Sequence, residues 1–291
     1  MPSYSVIIPS YKRPAMLKLA LESVFGQSLP PAEVYLVIDE PEASERYQFL
    51  ESFGSALDVT YTGGGFGGAK ARNVGLQKVQ AEFVFFLDDD DVWLPNKIES
   101  QISFLESHQD YVGVTCWRRL VYAKNGLEVN VKPTEALIES YIRKRNYTGS
   151  FSFFGFRRNA ETKDVFLDES LKAVQDHDFY IRIREAGKFG IIESVLARYN
   201  VHEGERISGA CDNKLNSFTY LYDKYKSRFS FRERVWNYGQ ILVWRGRNSS
   251  SLSYKLGILS LATPMLILTF HGVSQVVDLL RMVAIKETRR K

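Results

Sequence analysis

Cysteine is scarce in this chain of 291 residues. Cys116 and Cys211 are the two, far apart and without CxxC spacing, so neither a disulfide framework nor a thiolate metal site is expected. The N-terminus has no positively charged segment leading into an apolar run and a cleavage site. It enters a strand-like stretch, Ser5-Val6-Ile7-Ile8, directly, so the expected location is cytoplasmic. A charge excess of one sign is also lacking. Lys and Arg total 38 against 34 Asp and Glu, a formal net charge of +4, and a nucleic-acid binder would show a stronger excess. No nucleic-acid partner is expected; the mild excess suits anionic small molecules or a membrane surface. There is no internal repeat and no low-complexity tract. With 45% hydrophobic and 25% charged residues, the composition is that of an ordinary globular protein able to bury a core.

The first half alternates β-rich and helical patterns. Strand-like runs at Tyr4 to Ile8, Val34 to Ile38, Asp58 to Thr62 and Phe83 to Leu87 enclose helical patterns at Pro14 to Gln27, Glu42 to Phe53 and Ala69 to Gln80. This order predicts an α/β fold, a mostly parallel sheet flanked by helices, and near-continuous apolar strands suit burial on both faces. The second half is less regular. Val112 to Val121 and Phe151 to Phe156 read as strands, with a turn at Lys124-Asn125-Gly126, and Asp176 to Ala186 reads as a helix ending at Gly187. From about Asp212 the pattern is helical, which divides the chain into a domain over 1–210 and a helical C-terminal region over 211–291.

In open α/β sheets ligands bind beyond the carboxyl ends of the strands, so the residues just after each strand matter most. Phe83-Val84-Phe85-Phe86-Leu87 runs into Asp88-Asp89-Asp90-Asp91. Four adjacent carboxylates repel one another, and extended backbone sends Asp88 and Asp90 to the same side. That points to a hard divalent cation, Mn²⁺ or Mg²⁺, against the alternative of a solvated acidic loop. The run Gly63-Gly64-Gly65-Phe66-Gly67-Gly68 contains GxGxxG, with Asp88 twenty residues beyond it. This satisfies a dinucleotide fingerprint on paper and makes an NAD-dependent oxidoreductase the alternative reading. Against it, two βα units precede the run, and Asp89, Asp90 and Asp91 would have no task. Lys70 and Arg72 open the next helix, where cations are disfavoured by the macrodipole unless an anion binds nearby. Asp176 either caps its helix or serves as a general base. His202 is either a third metal ligand or a structural hydrogen-bonding residue.

Four segments, in order, resemble the family 2 glycosyltransferases with an A-type, Rossmann-like fold: Val6-Ile7-Ile8-Pro9-Ser10-Tyr11-Lys12-Arg13, Leu21-Glu22-Ser23-Val24-Phe25-Gly26-Gln27-Ser28, Ala69-Lys70-Ala71-Arg72-Asn73-Val74-Gly75, and Phe86-Leu87-Asp88-Asp89-Asp90-Asp91-Val92-Trp93-Leu94-Pro95. The resemblance covers about residues 3 to 205. It implies transfer of a sugar, with inversion, from a nucleoside diphosphate sugar (UDP favoured) to an acceptor hydroxyl, in bacterial surface polysaccharide or other glycan synthesis. Pro9, Tyr11, Arg13 and Asp39 would line the nucleoside pocket, with Lys70 and Arg72 beside the diphosphate. Asp88 and Asp90 would meet ribose and metal, with His202 as the further candidate ligand. Asp176 would be the catalytic base, and Asp89, Trp93 and Gln175 would border donor or acceptor. Gln175 departs from the family's usual Glu, and Asp39-Glu40-Pro41 from its Asp-Asp-Gly-Ser. A non-catalytic relative is the remaining alternative.

Leu256 to Phe270 is mostly apolar but interrupted by Ser260, Thr263 and Pro264, and is shorter than the ~20 residues that cross a bilayer as a helix. Val273, Val276, Val277, Leu280 and Ala284 recur at helical spacing before Lys286, Arg289, Arg290 and Lys291. This suits either a peripheral helix on the inner face of the cytoplasmic membrane, with a lipid-linked glycan as acceptor, or packing on the protein or a homo-oligomer partner.

Overall fold

A computed structural model of the chain describes residues 3–41, 45–202, 211–249 and 251–267. The chain divides into two compact units, residues 1–170 with 175–204, and residues 171–174 with 205–291.

The first unit is built on one mixed sheet. Its strands are β1 (Tyr4–Ser10), β2 (Glu33–Ile38), β3 (Leu57–Tyr61), β4 (Phe83–Phe86), β5 (Asp91–Trp93), β6 (Tyr111–Tyr122), β7 (Glu128–Val131), β8 (Gly155–Arg157) and β9 (Lys188–Val201). They lie in the order β3-β2-β1-β4-β8-β6-β9-β5, with β7 on β6. The first four strands pair in parallel. Every residue of β1 and β4 is buried, as suits mostly apolar strands covered on both faces. The second half adds antiparallel pairings of β8 with β4 and β6, and of β5 with β9, while β9 lies parallel to β6.

Helix α1 (Pro14–Phe25) returns the chain from β1 to β2. Pro14 opens it, where the missing N–H costs nothing, and Leu17, Ala20, Leu21 and Val24 form its buried face. The segment Glu45–Ala56 is 3₁₀ in character and broken at Gly54 (φ 56°). Helix α2 (Gly68–Lys78) leads to β4, and α3 (Lys97–Ser107) and α4 (Glu135–Tyr141) come next. Phe151 to Phe156 is not one strand. Its first half is a 3₁₀ turn, because Ser150 Oγ accepts from Ser152 N at 3.3 Å and Phe153 N returns to the Ser150 carbonyl at 3.1 Å. Helix α5 covers Gln175–Ile183 and ends in a 3₁₀ turn before Gly187.

Aromatic rings fill the space beside two strand glycines. A Cβ on Gly155 of β8 would lie 2.0 Å from Phe85 Cε1, and one on Gly113 of β6 would lie 2.3 Å from Phe154 Cζ.

The second unit is helical: α6 (Cys211–Tyr225), α7 (Phe231–Asn248) and α8 (Leu252–Ile267). Ser230 and Glu233 form a capping box at the start of α7, which satisfies donors left open by the helix. Leu221, Tyr225, Trp236, Ile241, Leu242 and Ile258 are buried in this unit. Among the described residues no helix is long and apolar enough to cross a membrane. The expected helical spacing from Val273 to Ala284 and the basic end at Lys286 to Lys291 lie outside the described residues.

Candidate active site

The carboxyl ends of β1, β2, β3 and β4 carry the polar residues expected there, as open α/β topology directs. At the end of β4, three of the four carboxylates are compensated one by one. Asp88 accepts from an Arg72 guanidinium N–H and from Ser150 Oγ at 2.8 Å. Asp89 accepts from Ser10 Oγ at 2.9 Å, Tyr11 N at 3.1 Å and Arg13 Nη1 at 3.1 Å. Asp90 Oδ2 meets Arg13 Nη1 at 2.8 Å and His202 Nε2 at 2.9 Å.

Asp91 is treated differently. It is fully buried, its Oδ1 accepts from Asn200 N at 3.3 Å, and its Oδ2 is buried without a hydrogen-bond partner among the described residues. Burial, with Asp88 and Asp90 beside it, pushes its carboxyl well above the usual range. Asp88, Asp90 and Asp91 each offer an oxygen, and these oxygens lie within 4.8 Å of one another. Burial also pushes Asp89 up to about 6, against the pull of Arg13.

Arg72 is nearly buried. Besides Asp88 it reaches the Gly68 carbonyl at 3.0 Å, and its guanidinium lies 4.6 Å over the Phe151 ring. Asp176, in the first turn of α5, is held by Asn146 Nδ2 on Oδ2 at 2.9 Å and by His177 N on Oδ1 at 2.8 Å. Burial raises its carboxyl to about 6; Asp88 adds to the rise and Arg72 opposes it. Asp176, Asp88 and Arg72 therefore share one electrostatic neighbourhood.

Asp39 stands apart from the acidic run. Its carboxylate accepts from Thr62 Oγ1, from Phe66 N at 3.2 Å and from Gly67 N at 2.7 Å, which ties down the glycine run. Glu40 accepts from Tyr47 and from Lys12 N at 2.8 Å and pairs with Arg46 at 2.8 Å. It thereby holds Lys12 in the left-handed region at φ 57°.

Residues 5–163 match the model of glycosyl transferase family 2. The chain belongs to that family. This glycosyltransferase is 27% identical over 241 residues to the putative colanic acid biosynthesis glycosyl transferase of Escherichia coli K12, covering 78% of this chain and 83% of that one. Over 101 residues it is 33% identical to an Escherichia coli UDP-Glc:alpha-D-GlcNAc-diphosphoundecaprenol beta-1,3-glucosyltransferase, a match that covers 35% of this chain and 40% of the relative. Its fold is similar to that of S. aureus TarS 1–349 in complex with UDP-GlcNAc, with a TM-score of 0.64 at 17% identity, covering 99% of this chain and 92% of that one. Membership of this family sets aside the oxidoreductase reading of the glycine run. That run lies after β3, the third strand, and gives two of its N–H groups to Asp39.

Of the residues expected in the site, the fold of the glycosyltransferase brings Arg13, Arg72, Asp88, Asp89, Asp90 and His202 together. Gln175 and Arg72 both border Gly68, where a Cβ would meet Arg72 Nη1 at 2.8 Å and Gln175 Oε1 at 3.7 Å. Pro9 is a buried strand residue paired with Val37, and Tyr11 is 48% exposed. Two further expected residues are held by other partners. Trp93 ends β5. It is a core residue at 2% exposure, its indole N–H donates to the Ser152 carbonyl at 2.7 Å, and Lys97 Nζ lies 4.3 Å over its ring. Lys70 points to the surface beside Glu169 Oε1, 3.5 Å away. Asn146 and Ser150 in a loop, and Asn200 near the end of β9, are not signalled by the sequence, because single polar residues carry no periodic pattern.

The residues present fit a divalent cation. Three clustered carboxylate oxygens match the preference of hard cations, and Asp91, whose Oδ2 has no hydrogen-bond partner among the described residues, is a buried carboxyl whose ionised form a cation would stabilise.

Proposed function

We propose that this glycosyltransferase moves a sugar from a nucleoside diphosphate sugar, UDP favoured, to an acceptor hydroxyl by one displacement with inversion, in the assembly of a bacterial surface polysaccharide. The observation that carries the reading is Asp176: a half-buried carboxylate raised to about 6, without a cation in hydrogen-bond reach among the described residues, facing the Asp88–Arg72 pair. A carboxyl of that pKa is ionised at neutral pH yet basic enough to take a proton as a bond forms. Asp176 would accept the acceptor hydroxyl proton while that oxygen attacks the anomeric carbon. Arg72 would bring positive charge to the departing diphosphate. Asp39, Tyr11 and Arg13 would form the nucleoside end, and Asp88 would meet the ribose.

Asp88, Asp90 and Asp91 would hold Mn²⁺ or Mg²⁺, with His202 beside Asp90 as a further ligand; the bound ion supplies charge stabilisation to the leaving group. The relatives named for colanic acid biosynthesis and for a diphosphoundecaprenol-linked sugar, and TarS bound to UDP-GlcNAc, support a UDP-sugar donor and a lipid-linked glycan acceptor. Such an acceptor agrees with peripheral membrane contact through the helical C-terminal region.

The test is the Asp176→Asn variant together with thermal unfolding against UDP, dTDP and GDP in Mn²⁺. A ligand that binds only the native state raises the melting temperature. Metal-dependent stabilisation by one nucleotide in both proteins, with turnover lost only in the variant, is the expected result. Turnover retained in Asp176→Asn removes the base assignment. Silence from all three nucleotides in the parent protein favours a non-catalytic relative.

A further inference from the structure

Both hydrogen bonds that hold Asp176 come from neutral N–H groups, the backbone of His177 and the side chain of Asn146. The second is the more telling, because Asn146 belongs to a different segment, the turn after α4. Its amide orientation is determined. Oδ1 accepts from Gly149 N at 2.8 Å, while Nδ2 donates to the Gly149 carbonyl at 3.0 Å as well as to Asp176. Exchanging its oxygen and nitrogen would set a carbonyl against a carboxylate and an N–H against an N–H.

We propose that Asn146 is the positioning residue for Asp176, fixing the rotation of its carboxylate and keeping it ionised opposite Asp88; this rests on Asp176 being the base. The turn that carries Asn146 is built to hold still. Gly149 adopts φ 96°, and a Cβ there would meet Phe153 at 2.8 Å and Arg118 at 3.0 Å. Thr115 Oγ1 donates to the Thr148 carbonyl at 3.0 Å, and Arg118 Nη1 donates to the same oxygen at 3.3 Å. One residue beyond Gly149, Ser150 Oγ donates to Asp88 Oδ2 at 2.8 Å. A single turn from Asn146 to Ser150 thus holds the proposed base with one end and the proposed ribose carboxylate with the other. His177 Nε2, 2.6 Å from the Ile142 carbonyl, ties the same two segments together a second time.

The charged and titratable groups facing Asp176 are Asp88 from the end of β4, Arg72 from α2 and Tyr180 from α5. Burial and Asp88 favour the protonated carboxyl, while Arg72 favours the ionised form. A hydrogen bond to the charged form acts in the same direction as Arg72. Loss of the Asn146 amide therefore raises the pH at which Asp176 gives up its proton.

The experiment uses the full chain with ¹³C-labelled aspartate carboxyls, the Asp176 signal being identified by its loss in Asp176→Asn. In Asn146→Ala the Asp176 titration is expected to move up by about one pH unit. In Asn146→Asp, which keeps the acceptor for Gly149 N and hence the turn, it moves further, through like-charge repulsion. UDP release from UDP-glucose in Mn²⁺, with water as acceptor, is expected to fall about tenfold below pH 6 and less at pH 8, with the donor KM within about twofold of the parent value. A purely structural role lowers the melting temperature but leaves the titration in place. An unshifted Asp176 titration in both variants overturns the proposal. UDP release persisting in Asp176→Asn overturns the base reading instead, whatever the titration shows.

Discussion

Replacing Arg72 by Met removes the cation from Asp88 while leaving a long apolar side chain over Phe151. The side chains of the pair are 10% and 26% exposed, between the surface case, where an ion pair contributes under about 1 kcal/mol, and the buried case, where removal of one partner costs about 3–5 kcal/mol. An intermediate loss of about 2–3 kcal/mol is expected, because among the described residues Asp88 keeps Ser150 alone as a side-chain donor while Asp90 and Asp91 remain close. At about 2–4 °C per kcal/mol for a domain of this size, the melting temperature falls by about 5–10 °C. Thermal unfolding followed by circular dichroism in EDTA reads this directly. Mn²⁺ added to the variant is expected to recover part of the loss, and to raise its melting temperature more than that of the parent, since the ion replaces the missing positive charge. Arg72→Lys should fall between, having the charge without the planar fork. A melting temperature for Arg72→Met within about 2 °C of the parent refutes the claim that this pair compensates the acidic run.

Asp91→Asn is expected to stabilise the metal-free protein at pH 7 and to weaken Mn²⁺-induced stabilisation. A buried acid raised well above its usual range disfavours the fold while it is ionised, so the gain shrinks as the pH falls toward 4; melting curves with and without Mn²⁺ across pH check both signs. Gly149→Ala should cost more than Gly126→Ala in urea unfolding. Both glycines have positive φ, worth about 1–2 kcal/mol for an alanine, but only at Gly149 would the new Cβ crowd other atoms. With Asp176 raised to about 6, the pH–rate profile should lose activity tenfold per pH unit below that value. The same shift adds stability as pH falls from about 6 to 4, so thermal stability at pH 5 no lower than at pH 7 would show that the acid limb is not unfolding.

The parallel half of the sheet was readable because β1, β2 and β4 are mostly apolar runs and β3 is a short stretch holding Val59, Thr60 and Tyr61, with helical patterns between them. Strand β9 was not, since Glu193, Ser194, Arg198 and Asn200 interrupt it and its 14 residues form a strand only by pairing with β6 and β5. Phe151 to Phe156 looked like a strand from its aromatic content, yet Ser150 turns its first half. In the site, the four adjacent carboxylates announced themselves by a repulsion that needs an answer. Their answers, Arg13, Arg72 and His202, were named separately, but which oxygen each would meet depends on distances set by the whole fold. Asn146 and Ser150 lie 30 residues before Asp176 and 62 residues after Asp88 respectively. No local pattern can join such pairs.

The close fit of Phe85 on Gly155 and of Phe154 on Gly113 constrains how this chain can diverge. A methyl group at either glycine occupies space already filled by a ring, and a smaller residue in place of the ring opens a void beside a bare backbone. Neither partner can drift alone, so the two positions of each pair should change together among descendants or not at all. Because Phe85 and Gly155 sit on the strands that join the parallel half of the sheet to the mixed half, that joint mutational barrier falls on the seam between them, and the loops beyond it are left freer to vary.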